Sequence, residues 1–190
     1  MARNETRRAE LADAGIAVLA REGSRGLTHR AVDAESGSPA GTTSNYFRSR
    51  ARLVEGLVER IGERLAPDPA VVERLTAQPA DRDSFAAHLR DIVRRLTADR
   101  RVTLAWLELR LEAARRPEVA ALMQQVLRSG LAADVAYHEA AGLPGGAREV
   151  ALFHYAVDGL MLDRLTVPID PGTTTDDVLD AFVEALIPLA

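Results

Sequence analysis

The chain has 190 residues, 47% of them apolar and only 4% aromatic, with no cysteine and a formal net charge of −4. That length and apolar content permit one large or two small domains around a buried core, and the lack of cysteine excludes disulfides and thiolate chemistry. The opening MARNETRRAE carries no apolar run of the signal-peptide kind, and no stretch approaches the roughly 18 apolar residues of a membrane span, so a cytoplasmic protein with no membrane partner is expected.

Residues 5–22 predict a first helix, with Leu11, Ala14, Gly15, Val18 and Leu19 on one apolar face, ended by Gly23. Thr28 is placed to cap a second helix over Arg30 to Glu35, and Gly37 stops it, since glycine tolerates the left-handed conformation of a helix C-terminus. Ser38-Pro39 then restarts the chain as N-cap and first helical residue of a third helix, about Pro39 to Phe47. This helix is short and polar, with Gly41, Thr42, Thr43, Ser44 and Asn45. Its propensity is poor and it gains little from core burial. Held by a neighbour across a tight turn, it suits insertion into a DNA major groove.

The residues that carry this pattern, Gly23, Gly26, Thr28, Arg30, Val32, Gly37, Gly41, Thr42, Tyr46, Phe47 and Arg50, resemble the DNA-binding signature of the TetR family of transcriptional regulators over the first quarter of the chain. Asp33 and Ser36 stand where that family has small apolar residues, Ser38 where it has Val, and Ser44 where it has Tyr; Arg50 replaces a Lys and keeps the charge. The resemblance implies an all-α homodimeric repressor. Its N-terminal three-helix helix-turn-helix head would bind a palindromic operator, and a helical bundle would dimerise and bind a small-molecule effector that releases the DNA. Thr28, Arg30, Thr42, Thr43, Ser44, Asn45, Tyr46 and Arg50 are the candidate DNA contacts, with Thr43, Ser44 and Asn45 as base readers and Tyr46 on phosphate. His29 also falls near this surface. Residues 1–50 hold 8 arginines against 6 acidic residues, whereas residues 51–190 hold 16 against 22, which confines DNA contact to one end.

Ser49 caps the next predicted helix, 50–65, striped by Leu53, Leu57, Ile61 and Leu65. Arg50 and Arg52 in its first turn oppose the helix dipole and call for an anionic partner, for which DNA phosphate is suited. Pro67 and Pro69 set the expected boundary between a head, 1–50 with a bracing helix to about 65, and a body, 66–190. The body reads as helices over 70–78, 84–98, 101–115, 118–141, 147–166 and 175–187, with a break at Leu143-Pro144-Gly145-Gly146 and a capping-box start at Thr174 and Asp177. The last two helices are apolar on more than one face. Pairing them with their copies across a two-fold axis gives a four-helix dimer interface.

Trp106, Arg110, Met123, His154, Asp158 and Met161, with Glu108 beside them, are the candidate lining of an effector pocket. His154 and Asp158 share a helical face at i, i+4, but no third ligand stands near, so neither a metal nor a cofactor is expected. His88 and His138 are expected at the surface. Two other readings stay open. One is a helical-bundle enzyme using Glu108, His154 and Asp158 as acid–base groups, although no glycine-rich phosphate loop, GxSxG or HExxH motif is present. The other is an architectural DNA-binding dimer without an effector, whose binding would be broad and salt-sensitive.

Overall fold

The structure is a computed structural model that describes residues 2–187, and the described residues form helices and connecting turns only. Ten helices follow in order: α1 Ala2–Gly26, α2 His29–Glu35, α3 Thr42–Tyr46, α4 Arg50–Leu65, α5 Pro69–Thr76, α6 Arg82–Ala98, α7 Arg100–Ala113, α8 Pro117–Ala140, α9 Ala147–Leu165 and α10 Thr175–Leu186. They form two compact units. The first comprises residues 1–66 together with Asp99–Gln125, and the second comprises Pro67–Ala98 together with Val126–Ala190.

In the first unit α1 carries α2, α4 and α7. Leu11, Ile16, Val18 and Leu19 of α1 are buried with Leu53, Leu57 and Ile61 of α4. The α1 helix is interrupted at Gly23, whose φ of 68° lies in the left-handed region that glycine alone enters without strain. The head therefore includes more than its contiguous sequence. α7 packs along α1 and against α4, and buries Val102, Ala105 and Leu109. Charged groups reinforce this: Asp13 on α1 accepts from Arg60 (3.0 and 2.8 Å) and from Arg64 (2.9 Å) on α4. Arg64 also donates to Asp99, the N-cap of α7, at 2.8 Å. Burial would raise the Asp13 carboxyl, but its bonds from Arg60 and Arg64 hold it below the ordinary value.

The second unit has an apolar centre. Phe85, Leu89 and Val93 of α6 are buried with Phe153, Val157 and Met161 of α9 and Leu179 and Val183 of α10. The rings of Phe85 and Phe153 lie 4.8 Å apart. The capping box at the start of α10 forms as expected, with Asp177 N–H donating to Thr174 Oγ1 and Thr174 N–H to Asp177 Oδ2. Arg82 closes the other end of α10 by donating to the carbonyls of Val183 and Glu184. His138 is not a surface residue: it is 4% exposed and meets the Phe85 ring edge-on at 5.5 Å. His88 is half-buried, with Nδ1 donating to the Ser84 carbonyl and Nε2 bonded to the Tyr137 hydroxyl.

Candidate nucleic-acid interface

The sequence of α2 places its caps where local chemistry dictates. Thr28 Oγ1 accepts from Ala31 N–H at 3.1 Å, as an N-cap does. At the other end Gly37 takes φ 62°, and the Ser38 and Gly37 amides return to the carbonyls of Asp33 (2.8 Å) and Ala34 (3.2 Å). This is the Schellman closure that glycine permits.

The third helix differs from the expectation. It runs from Thr42 to Tyr46, not from Pro39 to Phe47, because Gly41 sits at φ 91° and breaks any helix through it. Ser38 is not its N-cap. Arg7 donates to Ser38 Oγ at 2.8 Å, Ser38 bonds Ser36 Oγ at 2.6 Å, and Ser36 donates to the Asp33 carbonyl. The three polar departures, Asp33, Ser36 and Ser38, thus replace apolar helix packing with a bonded chain.

Asp33 performs the capping. Its Oδ2 accepts from Gly41 N–H at 2.8 Å, and its Oδ1 accepts from Thr43 N–H at 2.7 Å and Thr43 Oγ1 at 2.5 Å. Burial would raise this carboxyl, but the bonds from Thr43 and Gly41, with the nearby His29, hold it below the ordinary value. His29, one turn earlier on α2, reaches the opposite end of α3: its Nε2 lies 2.6 Å from the Phe47 carbonyl oxygen. A carbonyl only accepts, so Nε2 carries the proton. Phe47 itself is 1% exposed and seated on Gly56, where an added Cβ would lie 2.3 Å from its ring.

Several candidate contacts are consequently reassigned. Thr43 is fully buried, with its hydroxyl held by Asp33, and cannot read a base. Arg50 is engaged within the head. One terminal nitrogen donates to the Leu27 carbonyl and the other to Ser24 O (2.7 Å) and Oγ (2.8 Å). Glu112 of α7 lies 3.9 Å from the same guanidinium. Arg50 therefore braces α4 to the end of α1, and Arg52 pairs with Glu55 at 2.7 Å. Burial would raise the Glu112 carboxyl, but bonds from Ser24 and Arg116 with the charges of Arg116 and Arg50 hold it low.

What remains turned outward is a small set. Asn45 is exposed and Tyr46 half-exposed, and both line an open concavity with Asn4, Glu5 and Arg8 of α1. Arg8 also lies 4.9 Å over the Phe47 ring. Ser44 is exposed and Thr42 half-exposed, but their hydroxyl protons go inward, to the Gly41 carbonyl at 2.8 Å and the Pro39 carbonyl at 2.6 Å. In that state both present only lone pairs outward. Thr28 and Arg30 are exposed, as is Arg48, which sequence reasoning passed over in favour of Arg50.

The candidate pocket residues fall in different units. Trp106, Arg110 and Met123 belong to the first, and His154, Asp158 and Met161 to the second. Met123 and Met161 are each 2% exposed and belong to the cores of their units. Trp106, Glu108 and Arg110 are half-exposed. His154 Nε2 pairs across helices with Asp134 of α8 at 3.0 Å. Among the described residues no group of three or more His, Cys, Asp or Glu is placed to hold a metal ion.

Comparison with known proteins matches a family model, the tetracyclin repressor-like C-terminal domain, over residues 80–189. The multidrug binding protein EbrR, crystallised with imidazole, is 26% identical over 97% of this chain and 96% of its own, with a TM-score of 0.67. A Streptomyces coelicolor A3(2) protein assigned to transcriptional regulation is 22% identical over 95% of both chains, with a TM-score of 0.68. A Mesorhizobium loti MAFF303099 protein assigned as a TetR-family regulator superposes with a TM-score of 0.74 at 16% identity, over 97% of this chain and 96% of its own. No functionally curated protein matches the sequence.

Proposed function

Because the chain belongs to the TetR family of transcriptional regulators, we propose that it acts as a homodimeric repressor that binds a palindromic operator through α3 and leaves it when a small molecule binds. The observation that carries this reading is the sorting of polar groups on the head. Thr43, Arg50, Asp33 and His29 are engaged internally, while Asn45, Tyr46, Arg30 and Arg48 are turned out. A short polar helix that is held from outside through Thr43 and turns Asn45 and Tyr46 outward suits a reading head.

In this account Asn45 pairs with an adenine edge, since its amide offers one donor and one acceptor. Ser44 and Thr42, with lone pairs outward, favour donor groups such as the amino groups of adenine or cytosine over phosphate. Tyr46, Arg30 and Arg48 contact phosphate, and Thr28, exposed at the start of α2, joins them. One such head spans few base pairs, so specific binding needs two copies on an inverted repeat.

The second unit supplies the pairing surface. α9 buries Val150, Phe153, Val157 and Leu160 but leaves Tyr155 71% and Leu162 53% exposed. On α10, Val178, Phe182 and Leu186 are only half-covered. Covering these by the same helices of a second copy removes apolar area from water on both sides. Residues 66–190 would then dimerise and sense the effector, with residues 1–50 and the bracing helix to about 65 reading DNA. EbrR is described as binding imidazole and, in a second structure, proflavin. By analogy the effector here is a small, largely apolar molecule, with His154 and Asp158 as the remaining candidate contacts within the second unit. Whatever its identity, it can shift the DNA equilibrium only by its differential affinity for the two states. No described helix is long and apolar enough to cross a membrane, which suits a regulator working beside DNA in the cytoplasm.

The test is selection of bound duplexes from a random pool at near-physiological salt. Enrichment of an inverted repeat bound by two copies is expected. Broad binding without a preferred sequence would favour an architectural protein, and no binding with or without candidate effectors would refute the reading.

A further inference from the structure

We infer that Asp33 and His29 are positioning residues for base recognition: from one face of α2 they hold α3 by its two ends and so set which of its side chains meet DNA. This rests on the DNA-reading role proposed above. The need for such a hold follows from α3 itself. It has five residues, Thr42-Thr43-Ser44-Asn45-Tyr46, all of modest or poor helix propensity. A single turn of that composition does not persist alone, because nucleation is unfavourable and only a few bonds repay it. Its N-cap position is Gly41, which has no side chain to accept from the first amides. Its one buried residue is Thr43, so apolar packing along α3 contributes little.

Asp33 supplies the missing acceptor from outside the helix, with both carboxylate oxygens in use on Gly41 and Thr43. A carboxylate at a helix N-terminus also meets the positive end of the backbone dipoles. His29 donates to the Phe47 carbonyl beyond the C-terminus. The two residues are i and i+4 on α2, hence on one face, so the span between them matches the one turn they grip. The direction of each bond fixes the rotation of α3 about its axis. Thr43 points at Asp33, so Asn45, two residues on, is carried to the outer side. Phe47 on Gly56 anchors the chain after α3 whatever Asp33 does. Loss of Asp33 would therefore let α3 fray or turn while the rest of the head stays folded.

The test uses the full-length protein and two readouts. Amide hydrogen exchange reports the hold without DNA, and sequencing of duplexes selected from a random pool reports base preference. Asp33→Ala is expected to speed exchange at Gly41 and Thr43 by about tenfold or more, while α1 and α4 keep their protection. Its base preference should flatten at the positions read by α3, not merely weaken uniformly. Should Asp33→Ala not fold, Asp33→Asn serves: it keeps an acceptor for Thr43 but turns an amino group toward Gly41 N–H, and an intermediate change is expected. His29→Ala should flatten preference as well, and His29→Gln should restore it, because its amide can donate to the Phe47 carbonyl. A purely structural role would lower melting temperature and binding to all duplexes equally, leaving the preference profile intact; that outcome overturns the inference. Unchanged exchange at Gly41 and Thr43 in Asp33→Ala overturns it too. Absence of any enriched sequence for the wild-type protein would sink the DNA-reading role, and the recognition role of Asp33 with it, even where exchange shows the grip intact.

Discussion

The two units are held by different kinds of force at the places that matter for function. Around α3 the structure relies on bonds with direction: Asp33 to Gly41 and Thr43, His29 to Phe47, Arg50 to Ser24 and Leu27. Around α9 and α10 it relies on area, through Phe153, Val157, Leu160, Leu179 and Val183 inside and Tyr155 and Leu162 left uncovered outside. Directional bonds fix an orientation, which base reading requires, because a helix turned about its axis presents other side chains. Apolar area fixes no rotation of its own, but it drives association of large surfaces. The difference teaches that changes to the polar hold on α3 should alter recognition at small cost in stability, and changes to the apolar centre around α9 and α10 should do the reverse.

The largest effect is expected where area is removed. Phe153→Ala deletes a ring packed 4.8 Å from Phe85 and should destabilise the second unit by about 3–5 kcal/mol, as read by denaturant unfolding. Next is Gly56→Ala, whose new methyl would sit 2.3 Å from the Phe47 ring. Displacing that ring should cost about 1–3 kcal/mol and shift the chain after α3, seen as a lower melting temperature together with weaker DNA binding. A Gly56→Ala protein with normal stability and normal binding would show that Phe47 does not fix the end of α3.

The smallest effect concerns pH and isolates the polar hold. The Asp33 carboxyl is held below its ordinary value of 3.8, so its folded form binds a proton less readily than the unfolded chain. Its contribution is present in full above about pH 4 to 5 and is lost as pH falls through 3.8 toward the depressed folded value. Protection of the Thr43 amide, taken relative to its intrinsic exchange rate, should fall as pH drops through that range in the wild-type protein, and that fall should vanish in Asp33→Asn. Identical acid profiles for the two proteins would mean that another group controls α3.

What could be read from the residues alone was what is encoded within a few positions. The Thr28 cap, the Gly37 stop and the Thr174–Asp177 box are i to i+3 relations, and each forms. The apolar stripe of α4 is periodic and is buried at Leu53, Leu57 and Ile61. The errors share another cause. Ser38-Pro39 satisfied a local rule for a helix start, but the acceptor for Gly41 and Thr43 comes from Asp33, eight and ten residues back across a turn. Arg50 looked free because its partners, Ser24 and Leu27, precede it by more than twenty residues. The same limit hid the return of α7 to α1 and the burial of His138 against Phe85. An acidic residue before a glycine-led polar turn is the one signal that, with hindsight, points to the grip on α3.

The central claim is that the outward groups of α3 read bases while its inward groups set its pose. The most direct measurement is the affinity of wild-type, Asn45→Ala and Tyr46→Phe proteins for the selected operator and its full set of single-base variants. The account predicts that Asn45→Ala loses discrimination worth about 1–3 kcal/mol at one base pair of each half-site and keeps it elsewhere. Tyr46→Phe should weaken all duplexes alike. If Asn45→Ala kept the wild-type profile at every position, α3 would not be the reading helix, and the assignment built on its exposed face would fall.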